Sequence, residues 1–175
     1  MPTSLLLLAD THVPARARDL PAAVWAAVEA ADLVVHAGDW VRPELLEELE
    51  RRSARLLGVA GNNDGPQLHA RLPEVARAEV DGVALAVVHE TGPARGREER
   101  CAQRFADADV LVFGHSHIPW DAVATRPDGG ALRLLNPGSP TDRRRQPRAT
   151  YLTAVAVDGR LEDVVLHALP LRAGS

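Results

Sequence analysis

Five short clusters each close an apolar run with residues able to ligate a metal: Asp10-Thr11-His12, Gly38-Asp39, Gly61-Asn62-Asn63-Asp64, His89 and Gly114-His115-Ser116-His117. Their donors are oxygen and imidazole, enough for two ions sharing one carboxylate. Such a pair generates hydroxide at neutral pH and attacks phosphate esters. Asp10 and His12 lie two apart, as do His115 and His117, so each pair can point the same way on leaving an extended strand. Gly38 before Asp39 lets backbone and metal approach closely, and a carboxylate with two oxygens can bridge two cations. Asn62 offers a neutral carbonyl oxygen. This donor set suits Mn, Fe, Zn, Co or Ni and excludes metals that require thiolate. Taken singly, Asp10 and His12 are an ordinary polar loop and Asp39 an ordinary turn. The ordered set carries the metal reading.

The clusters need elements to position them. Leu5–Ala9, Leu33–Ala37 and Leu56–Ala60 are apolar runs of strand length, as expected of strands buried on both faces. Helices are expected over Pro21–Ala31 and Pro43–Arg52, the latter with Pro in its first turn and Leu45, Leu46 and Leu49 as its stripe. Strand and helix alternate here, the pattern of a parallel sheet. The rhythm then changes. Val75–Val80 and Val83–Val88 flank Asp81-Gly82, a strong hairpin signal. Glu98–Ala106 reads as a helix and Val110–Phe113 as a buried strand. Trp120–Thr125 with Ala131–Leu135, and Thr150–Val157 with Leu161–Ala168, read as two further hairpins. The back half is thus expected to be mostly antiparallel. The economical assembly of this α/β chain is two packed sheets with helices outside. Each cluster then sits at the carboxyl end of a strand, where open α/β sheets bind ligands.

The chain has 175 residues, read as one domain over residues 1–175, with a real core. Aromatics are scarce, so that core rests on Leu, Val and Ala. All twenty basic residues are Arg, and the net charge of −4 argues against a dedicated nucleic-acid binder. Cys101 is the one cysteine, so no internal disulfide forms; it reads as a buried helix residue. Leu5–Ala9 is too short for a signal peptide and no run approaches a membrane span, so a cytoplasmic protein is expected.

Asp-x-His, Gly-Asp, Gly-Asn-x-Asp, a lone His and Gly-His-x-His, in that order, resemble the calcineurin-like metallophosphoesterases. Asn136-Pro137-Gly138-Ser139 resembles a turn of their small bacterial and archaeal phosphodiesterase branch. The resemblance runs from Asp10 to Ser139 and implies a four-layer α/β/β/α sandwich with two mixed sheets. It implies two divalent ions, Mn as the first expectation with Fe, Ni, Zn or Co as alternatives. Asp10, His12 and His117 would hold the first ion and Asn62, His89 and His115 the second. Asp39 would bridge them, and a shared hydroxide would attack the phosphate. Asn63 stands where larger members carry a histidine that serves as general acid; it would orient the phosphate, with Asp64 supporting that loop in the catalytic set. Glu90 follows His89 where Gly is usual, and the chain leaves little room for inserted caps. The activity implied is hydrolysis of small phosphodiesters.

The remaining polar residues are weighed against simpler roles. Arg143, Arg144, Arg145 and Arg148 form a solvated loop or a phosphate-capturing mouth, with Arg143 and Arg144 as substrate-binding candidates. Thr91–Gly96 reads as a mobile rim, with Arg95 and Arg97 as weaker phosphate contacts. His36 reads as a hydrogen-bonding or core histidine, His69 as a surface one and His167 as having no role. Two rival functions share the pattern. One is a non-catalytic module like the retromer scaffold subunit, which lacks part of the histidine set. The other is a nuclease, which the charge disfavours. Exposed hairpin edges make a homo-oligomer an expectation.

Overall fold

The computed structural model describes residues 1–171. In chain order the elements are β1 (Thr3–Leu8), α1 (Ala22–Ala30), β2 (Leu33–His36), α2 (Pro43–Arg52), β3 (Leu56–Gly58), α3 (Pro66–Arg71) and β4 (Val75–Val80). There follow β5 (Val83–Val88), α4 (Arg97–Arg104), β6 (Val110–Val112), β7 (Trp120–Thr125), β8 (Ala131–Asn136), β9 (Thr150–Val157) and β10 (Arg160–Ala168). The strands form two mixed five-stranded sheets, ordered β10-β9-β1-β2-β3 and β4-β5-β6-β8-β7.

Side-chain alternation along β1 explains the layering. Leu5 and Leu7 enter the cluster between the sheets, with Val35, Leu85, Val87, Val110 and Val112. Leu6 and Leu8 point the other way, onto Val24, Val28, Leu46 and Leu49 of α1 and α2. A strand buried on both faces cannot alternate apolar with polar, hence its unbroken leucines. Each fully buried Leu contributes roughly 1.5–3 kcal/mol of transfer free energy. A third cluster packs Cys101, Ala102 and Phe105 against the outer face of the second sheet. The layers are therefore helix, sheet, sheet, helix. Among the described residues, no helix is long and apolar enough to cross a membrane.

All three hairpins form, but the back half is less antiparallel than its turns suggest. β6 pairs parallel with both β5 and β8. The β9–β10 hairpin leaves the second sheet and joins β1 antiparallel. Turn residues fix which neighbours fold back on each other; they say nothing of which strand takes the centre. Helix α3 has only six residues, too short for a clear apolar stripe, and is seated by Leu68.

Strand ends, rather than helices, present the candidate ligands. After β1 and β2 the two chains stay paired, through Asp10 N to Gly38 O and His12 N to Asp39 O, both 3.0 Å. A bridge between Val13 and Val41 closes this extension. Asp10, His12 and Asp39 thus leave one rigid ladder.

Candidate metal centre

Backbone conformation marks the site before any side chain does. Asp10 (φ 55°), His12 (φ 44°), Asp39 (φ 62°), His115 (φ 71°) and His117 (φ 60°) all occupy the left-handed region. Non-glycine residues pay for that conformation, and such strain concentrates where function demands it. Two neighbouring glycines permit the close approach. Gly38 has φ +90°, and a Cβ there would lie 2.7 Å from Nδ1 of His89. A Cβ on Gly114 would meet Asp10 Oδ2 at 3.0 Å and Ala9 at 2.9 Å.

Two triads of ligand atoms form, Asp10-His12-His117 and Asp10-Asp39-His89, each with its atoms within 4.8 Å of one another. His12 Nε2 lies 3.1 Å from His117 Nε2 and 3.4 Å from Asp39 Oδ2. The other Asp39 oxygen lies 3.3 Å from His89 Nε2. Each oxygen of Asp39 therefore faces a histidine of a different triad, and Asp10 is common to both. Asn62 Oδ1 joins the second group, 2.9 Å from His89 Nε2 and 3.0 Å from His115 Nδ1. His115 stands at the rim, with its side chain 44% exposed. Glu90 is also exposed, 4.0 Å from His115 Nε2.

The histidines are aimed by their other nitrogens. His89 Nδ1 donates to the Ala37 carbonyl at 2.7 Å, and His117 Nδ1 to the Asp142 carbonyl at 2.6 Å. Each bond fixes the tautomer and turns an Nε2 lone pair into the site, as metal ligation requires. Burial lowers the pKa of His12, His89 and His117, the last to about 4. These imidazoles are neutral at neutral pH, as ligands must be. The carboxylates complete the fit to a cation. Asp10 Oδ2 is buried and accepts no hydrogen bond among the described residues. Burial, then the charge of Asp39, pushes the Asp10 carboxyl well above its ordinary range. Two buried carboxylates meeting neutral imidazoles, one oxygen left bare, are suited to divalent ions.

His117 has a measurable consequence in the metal-free protein. Its pKa falls from 6.5 unfolded to about 4 folded. Between those values the unfolded chain binds a proton that the folded chain does not, so stability rises with pH. The contribution is full above pH 6.5 and is lost as pH falls to about 4. Urea melts should show wild type losing on the order of 3 kcal/mol relative to His117→Asn between about pH 7 and about pH 4. A pH-independent difference would refute this.

Asp64 and Asn63 occupy different places. Asp64 is buried, and its carboxylate accepts the backbone N–H groups of Asp39 (3.1 Å), Gly61 (2.6 Å) and Val41 (2.7 Å). It ties the loops after β2 and β3 together, which fits a positioning role. Asp64→Ala would strand two buried donors and the half-buried Val41 N–H, at about 1–3 kcal/mol each where water cannot reach. The expected loss is about 3 kcal/mol or more in chemical denaturation, with weakened metal binding; a loss below about 1 kcal/mol would contradict that role. Asn63 faces the opening. Its backbone N–H and side-chain amide donate to the two Asp39 oxygens at 2.9 and 2.7 Å.

Several positioning residues carry no metal-ligand signal. Ser139 Oγ donates to the Asp10 carbonyl at 2.7 Å and Thr141 Oγ1 to the Thr11 carbonyl at 2.6 Å. Asn136, fully buried, donates to the Gly114 carbonyl at 3.0 Å. The Asn136–Ser139 turn therefore braces the loops of Asp10 and His115 from beneath. His36 accepts from Gly38 N at Nδ1 (3.2 Å), so its Nε2–H faces Thr11 Oγ1 (3.0 Å), and its ring stacks on Trp40. It is the core histidine expected.

The arginines separate. Arg144 Nη1 reaches to 3.5 Å from the His115 carbonyl, and its charge is felt at Asp10, His12 and His117. Arg143 instead donates to Gln146 O within its own loop. Arg97 is buried against Phe113 and Trp120, 5.0 and 4.7 Å from their ring centres, so it packs rather than reaching for substrate. Thr91–Gly96 is pinned by Arg100, which donates to the carbonyls of Thr91, Pro93 and Arg95. That pinning runs against a freely mobile rim.

A two-sheet sandwich with carboxylates and imidazoles gathered at its strand ends defines a metallophosphoesterase architecture. The chain belongs to the calcineurin-like phosphoesterase superfamily, whose domain model matches residues 4–159. It is 32% identical over 171 residues to a probable metallophosphoesterase of Methanothermobacter thermautotrophicus, covering 97% of this chain and 92% of that one. It resembles the solution structure of a Thermotoga maritima protein, with TM-score 0.73 and 30% identity over 95% of this chain and 99% of that one. Vacuolar protein sorting 29 of Cryptosporidium parvum shares the fold, with TM-score 0.72 and 19% identity over 96% and 98% of the two chains.

Proposed function

We propose that the chain is a dinuclear metal-dependent phosphodiesterase acting on small, exposed esters. The convergence of Asp10, His12, Asp39, His89 and His117 around a bare, buried Asp10 Oδ2 carries this reading. Asp10, His12 and His117 would hold one ion and Asn62, His89 and His115 the other, with Asp39 shared. Mn is the first candidate among Mn, Fe, Co, Ni and Zn. Bound ions would neutralise phosphoryl charge and lower the pKa of the attacking water. The chain's own groups do the rest. The Asn63 amide, released from Asp39, donates to a phosphate oxygen, and Arg144 offers its guanidinium at the mouth. Asp64 and the Asn136–Ser139 turn hold the loops still.

Diester preference follows from Asn63. Monoester transfer passes through a loose transition state with charge piling on the departing oxygen. A proton donor there is worth about 10²–10⁴-fold, and an amide is a poor one. Diesters depend more on the attacking water, so they lose less.

The test is hydrolysis of bis(4-nitrophenyl) phosphate beside 4-nitrophenyl phosphate by metal-stripped protein, with Mn, Ni, Zn or Mg restored. Metal-restored turnover of the nitrophenyl diester is expected, with the diester preference appearing on alkyl esters, whose leaving oxygen needs a proton. Bound metal without turnover of either ester would sink the enzyme reading in favour of a non-catalytic module of this fold.

A further inference from the structure

A cavity lies one loop away from the candidate metal centre. It measures about 860 Å³ and is walled by Leu20, Pro21 and Ala23 at the start of α1, by Leu169 and Pro170 after β10, and by Pro140–Arg144. That is the size of a small-molecule site, typically ~300–1,000 Å³, and far more than a phosphate needs. The loop dividing it from the metals has two working sides. Its inner side holds Asp10, Thr11 and His117 through Ser139, Thr141 and the Asp142 carbonyl. Its outer side is cavity wall. Arg144 belongs to both, lining the cavity and reaching the His115 carbonyl at the rim of the metal centre.

Arginines and aspartates share the cavity wall. Asp19 accepts from Leu20 N and Trp25 Nε1 through Oδ1, at 2.7 and 3.0 Å. Asp142 faces Arg16 at 3.5 Å. Arg18 and Arg144 are exposed at the wall, with guanidinium donors to spare. An apolar floor with arginines at its edge suits a flat ring that carries its own anionic group.

We propose that this cavity receives the alcohol side of the substrate and selects phosphodiesters in which that side is a phosphorylated nucleoside. The inference rests on the phosphodiesterase reading. Water adds at phosphorus, the P–O bond to the nucleoside oxygen breaks, and that oxygen takes up a proton. The departing nucleotide is then held by Leu20, Pro21 and Leu169, with its second phosphate on Arg18 and Arg144.

Two readouts separate this idea from the reading beneath it. The first is calorimetric binding of adenosine 3′,5′-bisphosphate to the full chain, metal-loaded and again metal-stripped. Arg18→Ala and Ala23→Trp, each checked for an unchanged melting curve, should weaken it by about tenfold or more, as loss of one charge-assisted contact or of the ring's seat would. The second is metal-restored hydrolysis of the dinucleotide pApA beside ApA. Wild type should favour pApA by about tenfold. Ala23→Trp should erase that preference while bis(4-nitrophenyl) phosphate turnover persists. Equal binding by wild type and both variants, or no preference for pApA in an active enzyme, would overturn the cavity assignment. Failure of bis(4-nitrophenyl) phosphate hydrolysis with cavity binding intact would overturn only the phosphodiesterase reading.

Discussion

Asp39→Asn is expected to lower metal-restored diester hydrolysis by about a thousandfold or more, because in the proposed dinuclear reading several kcal/mol of charge stabilisation would depend on both ions being held. Bound metal should fall from about two ions per chain to one or fewer. Asp39 faces His12 with one oxygen and His89 with the other, at 3.4 and 3.3 Å. Burial pushes its carboxyl up, but His89 and the two Asn63 donors outweigh that and hold it below the ordinary range. It is therefore an anion in place before a cation arrives. The amide removes that charge and one ligand oxygen with little change of shape. It also removes the like charge that drives the Asp10 carboxyl upward. Relief at Asp10 opposes the loss of an Asn63 bond to Asp39, so metal-free Asp39→Asn should melt close to wild type while its activity collapses. Elemental analysis and thermal melts of one preparation test both halves. Activity within tenfold of wild type at full metal content would break the bridging assignment.

How far this centre could be read in advance depended on where each residue's role resides. Asp10, His12, Asp39, His89 and His117 announce themselves because each ends a run of Leu, Val or Ala that folds as a buried strand. An unbroken apolar run followed by an ionisable group is a local pattern. Asp142 gives no such signal, since it acts on His117 through its backbone carbonyl, which every residue has. Arg143 and Arg144 are alike in composition and exposure; only the turn of their loop sends one guanidinium toward His115 and the other to Gln146. Arg97 fits a phosphate-seeking rim by type, yet packing between Phe113 and Trp120 claims it, a contact spanning distant parts of the chain. The same holds for strand order. Asp81-Gly82 dictates a hairpin locally, whereas the central place of β6 follows from how whole sheets bury their faces.

Asn63 offers the opposite experiment, a gain of function. Its backbone N–H bond to Asp39 survives substitution, and only the side-chain amide bond is exchanged. The position is exposed at the mouth, so an imidazole fits without displacing core. Asn63→His should raise hydrolysis of alkyl phosphate monoesters by about a hundredfold, the lower range for a positioned general acid. Nitrophenyl esters should gain little, because nitrophenolate departs without a proton. The new activity should fall as pH rises past the imidazole pKa, roughly 6.5–7 when solvent-exposed, a limb absent from wild type. A uniform gain across leaving groups would indicate altered metal binding instead, and no gain on alkyl esters would show that the proton already comes from elsewhere. A selective gain would mean that one side chain sets the choice between diester and monoester. The compact, uncapped mouth would then govern only which alcohol can enter.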